Sequence, residues 1–240
     1  MTMRALVTGG SGSIGSETCR RLAAAGYHVL VHASRNFARA KSITAEIIEK
    51  GGSAEPICFD VADRIAVERA LGDVLEAGPI QILVSNAGVH DDSPLAGMSP
   101  EQWHRVIDVS LHGFYNVCRP LLLPMIGTRW GRVVAVSSIA GQVGNPGQAN
   151  YAAAKAGLHG AIKSLAREVA SRGITANVIA PGIVAGDMTD GVFDQDFIDR
   201  TVPAKRAGKP EEVAALIAFL ASEDASYISG QVIGVNGGMS

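Results

Sequence analysis

The chain alternates short, continuously apolar segments rich in β-branched residues with longer amphipathic segments. The short segments lie at 4–8, 28–32, 54–59, 80–85, 131–137, 174–180 and 232–235. Because their apolar residues are consecutive rather than alternating, they are typical of strands buried on both faces, as in a parallel sheet. Helical periodicity fills the intervals, at about 13–25, 37–50, 63–77, 99–126, 147–172 and 210–222.

Few folds are compatible with this alternation. Parallel strands joined through helices form right-handed βαβ units, and these stack into a doubly wound Rossmann-type sheet with helices on both faces. A chain of 240 residues, 47% of them hydrophobic, is long enough for one sizeable core, and no linker rich in Pro, Gly or Ser divides it. We therefore predict a single α/β domain, 1–240, with a seven-stranded parallel sheet. The aperiodic stretch at about 182–205 predicts a substrate lid at about 185–201.

Composition excludes several classes of function. The 23 acidic and 21 basic residues give a net charge of -2, so the chain has no overall positive field to hold nucleic acid. No stretch approaches the roughly 20 apolar residues needed to cross a bilayer, and no signal-peptide pattern is found, so we expect a cytoplasmic protein without a membrane partner. The three cysteines are far apart and in no ligand spacing, which argues against disulfides and a metal site.

A glycine-rich loop follows the first predicted strand and opens the first helix, with the sequence TGGSGSIG at 8–15. Glycines let the backbone approach a pyrophosphate, and the free N–H groups at the helix start favour its negative charge. A plain glycine turn is the alternative, but the position at the first strand-helix junction favours a dinucleotide site. The candidate cofactor contacts in this loop are Gly9, Ser11, Ser13, Ile14 and Gly15.

The end of the second strand indicates which dinucleotide is bound. Sites that prefer NADH usually have Asp or Glu here to accept the ribose 2′-hydroxyl, but 32–36 reads HASRN and contains no acid. Arg35 would attract a 2′-phosphate, so NADPH is expected, unless Arg35 is only a solvated loop cation. Further candidates at the carboxyl ends of strands, where turn residues are also common, are Asp60, Val61, Asn86, Ala87 and Gly88.

Tyr151 and Lys155 form a candidate catalytic pair. They are four residues apart in a strongly helical segment, so both side chains leave the same face. An ammonium near a phenol favours the phenolate and would lower the pKa of Tyr151 from about 10. This spacing also occurs by chance on many helices. Ser138 strengthens the interpretation because it closes the fifth strand and brings a hydroxyl to the edge of the sheet that carries the glycine loop.

Taken together, these motifs resemble the short-chain dehydrogenase/reductase family over nearly the whole chain. The glycine loop, 86–88, Ser138, the Tyr151 and Lys155 pair and 181–182 occur in the order and spacing of the family. Segments 144–157, 172–177 and 235–239 are similar to 3-oxoacyl-acyl-carrier-protein reductases. The resemblance implies reduction by NADPH of a carrier-bound 3-oxoacyl thioester to the 3-hydroxyacyl product, in fatty acid or related polyene or polyketide synthesis.

The resemblance also implies roles for individual residues. Ser138 would hydrogen-bond the carbonyl oxygen, Tyr151 would deliver the proton, and Lys155 would hold the nicotinamide ribose and lower the pKa of Tyr151. The resemblance implies three further groups of cofactor contacts. Asp60 and Val61 would flank the adenine, and Asn86 would support the strand edge near the ribose. The nicotinamide would lie against Pro181, Gly182 and Val184.

Three positions depart from the family pattern. Ser13 stands where the loop usually has glycine, and Gly12 stands where many NADPH-using relatives have a basic residue, which leaves Arg35 as the chief cation for a 2′-phosphate. Ser110 occupies the position of the catalytic Asn, which supports a water between the lysine and solvent. A hydroxyl has a shorter reach and fewer hydrogen bonds, so we expect retained activity with an altered proton relay.

The resemblance extends to partners. Arg129 and Arg172, just after two long helices, match positions where an acidic carrier protein docks beside the site mouth, although cations at helix C-termini are also common. A homotetramer built on the helices at 99–126 and 147–172 is implied as well. Those helices carry apolar residues on more than one face, which favours helix association. They include Leu121, Leu122, Leu123, Met125, Leu158, Ile162 and Leu165.

Two other functions stay open from sequence. The sequence is also compatible with a relative that acts on a different ketone or alcohol, since the fold and catalytic residues are shared across such enzymes. A non-catalytic dinucleotide-binding sensor is the other alternative, and Ser110 is its only support.

Overall fold

A computed structural model describes residues 2–186, 189 and 191–240. Within these residues seven parallel strands form one sheet in the order β3-β2-β1-β4-β5-β6-β7, which confirms the predicted Rossmann-type fold. The strands are β1 (Arg4–Val7), β2 (His28–Ala33), β3 (Ser53–Cys58), β4 (Ile82–Ser85), β5 (Gly131–Val136), β6 (Ile174–Pro181) and β7 (Val232–Val235).

Helices connect the strands, and most lie where periodicity predicts them. They are α1 (Ser13–Ala24), α2 (Phe37–Glu49), α3 (Arg64–Glu76), α4 (Pro100–Ile107), α5 (Gly113–Thr128), α6 (Ala140–Val143), α7 (Ala149–Val169), α8 (Gln195–Thr201) and α9 (Pro210–Leu220). The single helix predicted at 99–126 is wrong in one respect, because a π-helical turn at Asp108–His112 separates α4 from α5. A capping box between Ser99 and Gln102 fixes the start of α4.

Two hydrophobic layers hold the helices on the sheet. Helices α1, α2 and α9 cover one face, and α3, α5 and α7 cover the other. Successive strand residues supply the two layers, so that Leu6 faces one and Val7 the other, and both are fully buried. Each such side chain stabilises the fold by about 1.5–3 kcal/mol relative to leaving it exposed. No described helix has the length and apolar character needed to cross a membrane.

The apolar residues of the long helices mostly cover the chain's own sheet. Leu121, Met125, Leu158 and Ile162 are buried there, so they do not contribute to an exposed apolar face. Leu123 is 78% exposed and remains available for association.

The parallel arrangement brings every strand's carboxyl end to one edge of the sheet. The glycine loop lies between β1 and α1, and the segments that follow β2, β3, β4, β5 and β6 open at the same edge. In sheets of this kind ligands bind at that edge, near the point where the strand order reverses, here between β1 and β4.

Candidate active site

A cavity of about 600 Å³ opens at this edge. The ends of β4, β5 and β6, the start of α1 and the first turns of α7 surround it. The predicted site residues that line it are Ile14, Asn86, Gly88, Ser138, Tyr151, Lys155, Pro181, Gly182 and Val184.

Lys155 is buried in the wall of this cavity. Its Nζ donates a 2.8 Å hydrogen bond to the carbonyl oxygen of Val136, the last residue of β5. The same Nζ lies 5.5 Å from the centroid of the Tyr151 ring, so helix α7 presents both side chains to the cavity, as their spacing predicts. Burial lowers the pKa of Lys155 to about 8, so its ammonium and amine forms are close in free energy near neutral pH.

The pKa of Tyr151 differs from the prediction. Burial of the phenol raises this pKa above its usual value, a hydrogen bond with Ser138 partly offsets the rise, and the Asp92 carboxylate raises it again. The expected lowering by Lys155 is therefore wrong in this structure. The physical reason is that desolvation of the phenolate by burial dominates the shift. Tyr151 is consequently a protonated phenol at neutral pH.

Two adjacent serines, Ser137 and Ser138, follow strand β5 directly. The Ser138 hydroxyl accepts a hydrogen bond from the N–H of Ala140 and borders the cavity beside Tyr151. The Ser137 hydroxyl is engaged by helix α7: it donates to the carbonyl of Lys155 at 2.9 Å and lies 2.8 Å from Nε2 of His159. Ser137 therefore links β5 directly to the helix that carries Tyr151 and Lys155.

Ser110 lies behind the cavity in the π-helical turn. Its side chain is 2% exposed, and its hydroxyl has no hydrogen-bond partner among the described residues. Gly88 separates it from the lysine: a Cβ placed on Gly88 would lie 3.1 Å from Lys155 Nζ and 3.6 Å from Ser110 Oγ. The structure therefore brings Ser110 close to Lys155, and its unpartnered hydroxyl offers a hydrogen-bonding position there.

The glycine loop is held by the segment after β4. The Thr8 hydroxyl accepts hydrogen bonds from the N–H groups of Asn86 and Ala87, both at 3.0 Å. The Asn86 side chain donates to the carbonyls of Thr8 and Gly9. Gly9 has φ +63°, and a Cβ on it would lie 2.9 Å from Asn86 Nδ2. A Cβ on Gly15 would overlap the carbonyl of Gly9. The loop is thus a bare backbone cradle that fits the pyrophosphate of a dinucleotide.

Ser13 is compatible with this loop although relatives have glycine there. It is the first residue of α1, and its φ is not positive, so its Cβ causes no strain. Its side chain lies against Gly186, where an added Cβ would clash with it. Ser13 therefore borders the segment predicted as a lid.

Several other cofactor candidates lie at the same sheet edge but outside the cavity. Arg35 is exposed after β2. After β3, the Asp60 carboxylate accepts from the N–H of Ala62 at 3.0 Å, and Val61 is buried. Arg35, Asp60 and Val61 lie on the side of the glycine loop toward β3, because β2 and β3 follow β1 in the sheet order. An extended dinucleotide would run in this direction from the loop. The other candidates that do not line the cavity are Gly9, Ser11, Ser13, Gly15 and Ala87.

The segment predicted as aperiodic contains a helix. Asp194 caps α8 by accepting a hydrogen bond from the N–H of Phe197 at 2.7 Å, and this Asp is the signal that sequence reading missed. The rings of Phe193 and Phe197 stack with centroids 5.0 Å apart. Within the predicted lid, Asp187, Met188 and Asp190 lie outside the described residues. The apolar side chains that line the cavity from this segment and from the facing loops are Val143, Ile183, Val192, Phe193, Phe197 and Met239.

A small polar group on the cavity wall, formed by His90, Asp92 and Gln148, is not among the residues predicted from sequence. Gln148 donates to the Asp92 carboxylate at 2.8 Å, and His90 Nδ1 lies 3.4 Å from the same carboxylate. All three side chains line the cavity. Their position in the segment after β4 and just before α7 is a usable signal, because such segments reach the ligand edge of the sheet.

Arg129 and Arg172 lie together at the edge of their own sheet that is opposite the cavity. Both are exposed, and Arg129 donates to the carbonyl of Ser171 at 3.3 Å. They precede β5 and β6, at the amino ends of the strands, whereas Ser138 and Tyr151 lie at the carboxyl edge. The reason is topological: in a parallel sheet a helix C-terminus leads to the start of the next strand.

Comparison with known proteins agrees with this geometry. A family model described as enoyl-(acyl carrier protein) reductase, a short-chain dehydrogenase model, matches residues 9–240. A 3-oxoacyl-[acyl-carrier-protein] reductase of Staphylococcus aureus is 43% identical over 100% of this chain and 98% of the relative. The Synechocystis protein of that name is 42% identical over 98% and 96% of the two chains.

A solved structure also matches closely. The crystal structure of a protein provisionally assigned as a gluconate dehydrogenase, from Agrobacterium tumefaciens, superposes with a TM-score of 0.95. It is 32% identical and covers 99% of this chain and 95% of its own. With a glycine cradle, a serine and a tyrosine-lysine pair at one sheet edge, and with relatives that match end to end, the chain belongs to the short-chain dehydrogenase/reductase family.

Proposed function

We propose that the protein reduces a 3-oxoacyl thioester, carried on acyl carrier protein, to the 3-hydroxyacyl thioester with NADPH. The observation that carries this proposal is the convergence of Ser138, Tyr151 and Lys155 on one cavity, at the edge that holds the glycine cradle. Relatives with this activity in their names, 42–43% identical over almost the whole chain, support the choice of substrate. Synthesis of fatty acids or of related polyene or polyketide chains is the setting that we propose.

The residues of the cavity divide the chemistry between them. When bound, the nicotinamide supplies the hydride that forms the new C–H bond at the β-carbon. The Ser138 hydroxyl is positioned to donate a hydrogen bond to the carbonyl oxygen as that oxygen gains charge. Tyr151, kept protonated by its raised pKa, gives its proton to the same oxygen and completes the alcohol. One hydride and one proton account for the product.

Lys155 and Ser110 restore the proton in this scheme. With a pKa of about 8, the Lys155 ammonium is acidic enough to return a proton to the Tyr151 phenolate near neutral pH. We assign to the unpartnered Ser110 hydroxyl the support of a water that reprotonates Lys155, on the basis of its position across Gly88. Lys155 also holds the nicotinamide ribose in this proposal.

The preference for NADPH rests on charge at the end of β2. Arg35 is exposed there and no carboxylate lies in 32–36, so a 2′-phosphate meets a cation and no repelling acid. The other cofactor contacts remain as proposed from sequence: the glycine loop for the pyrophosphate, Asp60 and Val61 for the adenine, and 181–184 for the nicotinamide.

The cavity wall favours an acyl chain over a sugar acid. Val143, Val192 and the stacked Phe193 and Phe197 contribute an apolar surface to the same cavity as the polar group at Asp92. Apolar surface of this kind binds aliphatic chains through burial, whereas a polyhydroxy acid would leave its hydroxyls without partners there. We propose that residues 185–201 act as a lid over this surface within one domain, 1–240.

Docking of the carrier needs a second copy of the chain. Because Arg129 and Arg172 lie at the far edge of their own sheet, we propose that they receive an acidic carrier that serves the cavity of a neighbouring copy in a homotetramer. The exposed Leu123 on α5 supports association through this helix. We propose the cytoplasm as the location, in keeping with relatives named for acyl carrier protein.

The test measures kcat/KM for a carrier-bound 3-oxoacyl panel and a free ketone with NADPH and NADH, and for gluconate, which must be oxidised, with NADP⁺ and NAD⁺. We expect turnover of the carrier-bound substrates with NADPH, and Tyr151→Phe should lower it by roughly two to four orders of magnitude while NADPH still binds. Tyr115→Phe, an exposed tyrosine on α5, is the matched control. Faster turnover of gluconate than of every 3-oxoacyl thioester would overturn the proposed substrate, and an active Tyr151→Phe would overturn the proton donor.

A further inference from the structure

His32, in strand β2, is buried directly beneath the glycine loop. Its side chain is 1% exposed, and both ring nitrogens are used: Nδ1 accepts a hydrogen bond from the N–H of Gly9 at 3.0 Å, and Nε2 lies 2.9 Å from the carbonyl oxygen of Phe59. The ring also packs on the ring of Phe59, with centroids 4.1 Å apart. The sequence pattern predicts only that His32 lies in a strand.

These contacts define the protonation state of the ring. Because the Gly9 N–H donates to Nδ1, that nitrogen carries no proton, and Nε2 must carry the proton that it donates to Phe59. Burial lowers the pKa of His32 to about 4, with the Phe59 carbonyl and the Asp60 carboxylate opposing the shift. The ring is therefore neutral at working pH and keeps the lone pair that Gly9 requires.

One imidazole thus connects the ends of three strands. Gly9 lies just after β1, His32 is the penultimate residue of β2, and Phe59 follows β3. Packing here is tight, since a Cβ on Gly10 would lie 3.1 Å from the backbone nitrogen of His32. An apolar side chain of similar size would fill the space and leave both backbone groups without partners.

The same three strand ends carry the residues assigned to the adenosine half of the cofactor. The cradle follows β1, Arg35 follows β2, and Asp60 with Val61 follows β3. We propose that His32 is a positioning residue for NADPH. It fixes the Gly9 backbone relative to the ends of β2 and β3, so that the distance between the glycine cradle and Arg35, the cation proposed for the 2′-phosphate, stays constant. This inference rests on the proposed use of NADPH; His32 lies beneath the loop and touches no reacting atom.

Two substitutions separate the two hydrogen bonds. In His32→Asn the side-chain oxygen takes the place of Nδ1 and can accept from Gly9, but the amide cannot reach Phe59. In His32→Gln the amide nitrogen takes the place of Nε2 and can donate to Phe59, but the acceptor for Gly9 is lost. Each variant removes one buried hydrogen bond, so their effects on stability should be similar while their effects on the cradle differ.

The experiment titrates each variant with NADPH and with NADH, followed by nucleotide fluorescence, and measures urea unfolding without nucleotide. We expect His32→Gln to raise the Kd for NADPH roughly tenfold, the equivalent of one hydrogen bond, and His32→Asn to stay within about threefold of the parent. The value of kcat at saturating NADPH should be unchanged in both. His28→Asn is the control, since His28 starts the same strand and bonds Ser53 and Glu55 at the opposite sheet edge.

Equal Kd values for the two His32 variants, or Kd values that change only in step with unfolding free energy, would overturn the inference. Where His32→Gln does not fold, His32→Leu, which lacks both hydrogen bonds, takes its place in the comparison. A parent protein that binds neither NADPH nor NADH would refute the proposed function together with this inference. A parent that binds NADPH as tightly as His32→Gln does would refute the positioning role alone.

Discussion

Ser110 shows how one residue can depart from a family pattern and still suit its site. A buried hydroxyl without a protein partner costs stability unless water satisfies it, so its retention beside Lys155 needs a reason. We expect Ser110→Ala to leave the unfolding free energy within about 1 kcal/mol of the parent, because the lost hydroxyl makes no hydrogen bond within the described chain. Its kcat should fall several-fold, since the support of the water is lost.

The pH profile distinguishes this relay role from simple packing. Lys155 has a lowered pKa of about 8, so its ammonium is lost as pH rises through that value, and reduction should slow above pH 8 in the parent. In Ser110→Ala the decline should begin at lower pH, and the solvent isotope effect on kcat should rise. Ser110→Asn should restore the pH profile and the solvent isotope effect of the parent. Identical pH profiles in the parent and Ser110→Ala would rule out a relay through Ser110.

At the scale of elements, Ser137 joins the two parts of the active site. Its hydroxyl donates a hydrogen bond to the carbonyl of Lys155 and lies 2.8 Å from Nε2 of His159. Because these contacts join the end of strand β5 to helix α7, they keep Ser138 and Tyr151 in register. Ser137→Ala should destabilise the protein by about 1–2 kcal/mol and lower kcat with little change in the KM for NADPH. Ser164→Ala, which removes an exposed hydroxyl on the same helix, should change neither. Loss of stability with an unchanged kcat would reduce Ser137 to a structural role.

Sequence predicts the elements of this site better than their interruptions. The helix at 99–126 was predicted as continuous because one π-helical turn hardly alters an apolar periodicity. The turn accompanies tertiary packing: Leu111 lies against Gly157 of α7, where a Cβ would come within 3.0 Å of it. Tyr151 and Lys155 were predictable from local spacing, whereas the raised pKa of Tyr151 depends on burial that only the folded chain defines.

The two edges of the sheet separate function from stability in the whole molecule. At the carboxyl edge the cradle, Ser138 and Tyr151 leave backbone and side chains open to a ligand. At the amino edge, Arg132 is 1% exposed and stacks 4.3 Å over the ring of Trp130. The sequence predicts the strand that contains Arg132 as an apolar segment. It does not predict the burial of the Arg132 guanidinium, because the partners of a buried guanidinium come from distant segments.

Those partners make Arg132 the tie between the sheet and the C-terminal segment after α9. Its guanidinium donates to the carbonyls of Gly131 and Ser222 and to the Glu223 carboxylate. Arg132→Met keeps the apolar stem but leaves buried carbonyls without donors, so the free energy of unfolding should fall by about 3 kcal/mol. At about 3.3 Å per residue along β5, Arg132 lies roughly 20 Å from Ser138, so kcat and both KM values should stay unchanged at 25 °C. Urea unfolding and steady-state kinetics on the same preparation check both statements, with the exposed Arg69→Met on α3 as the control. A variant that keeps its stability would contradict the role of Arg132 as a tie, and one that loses activity while still folded would show that the two edges are coupled.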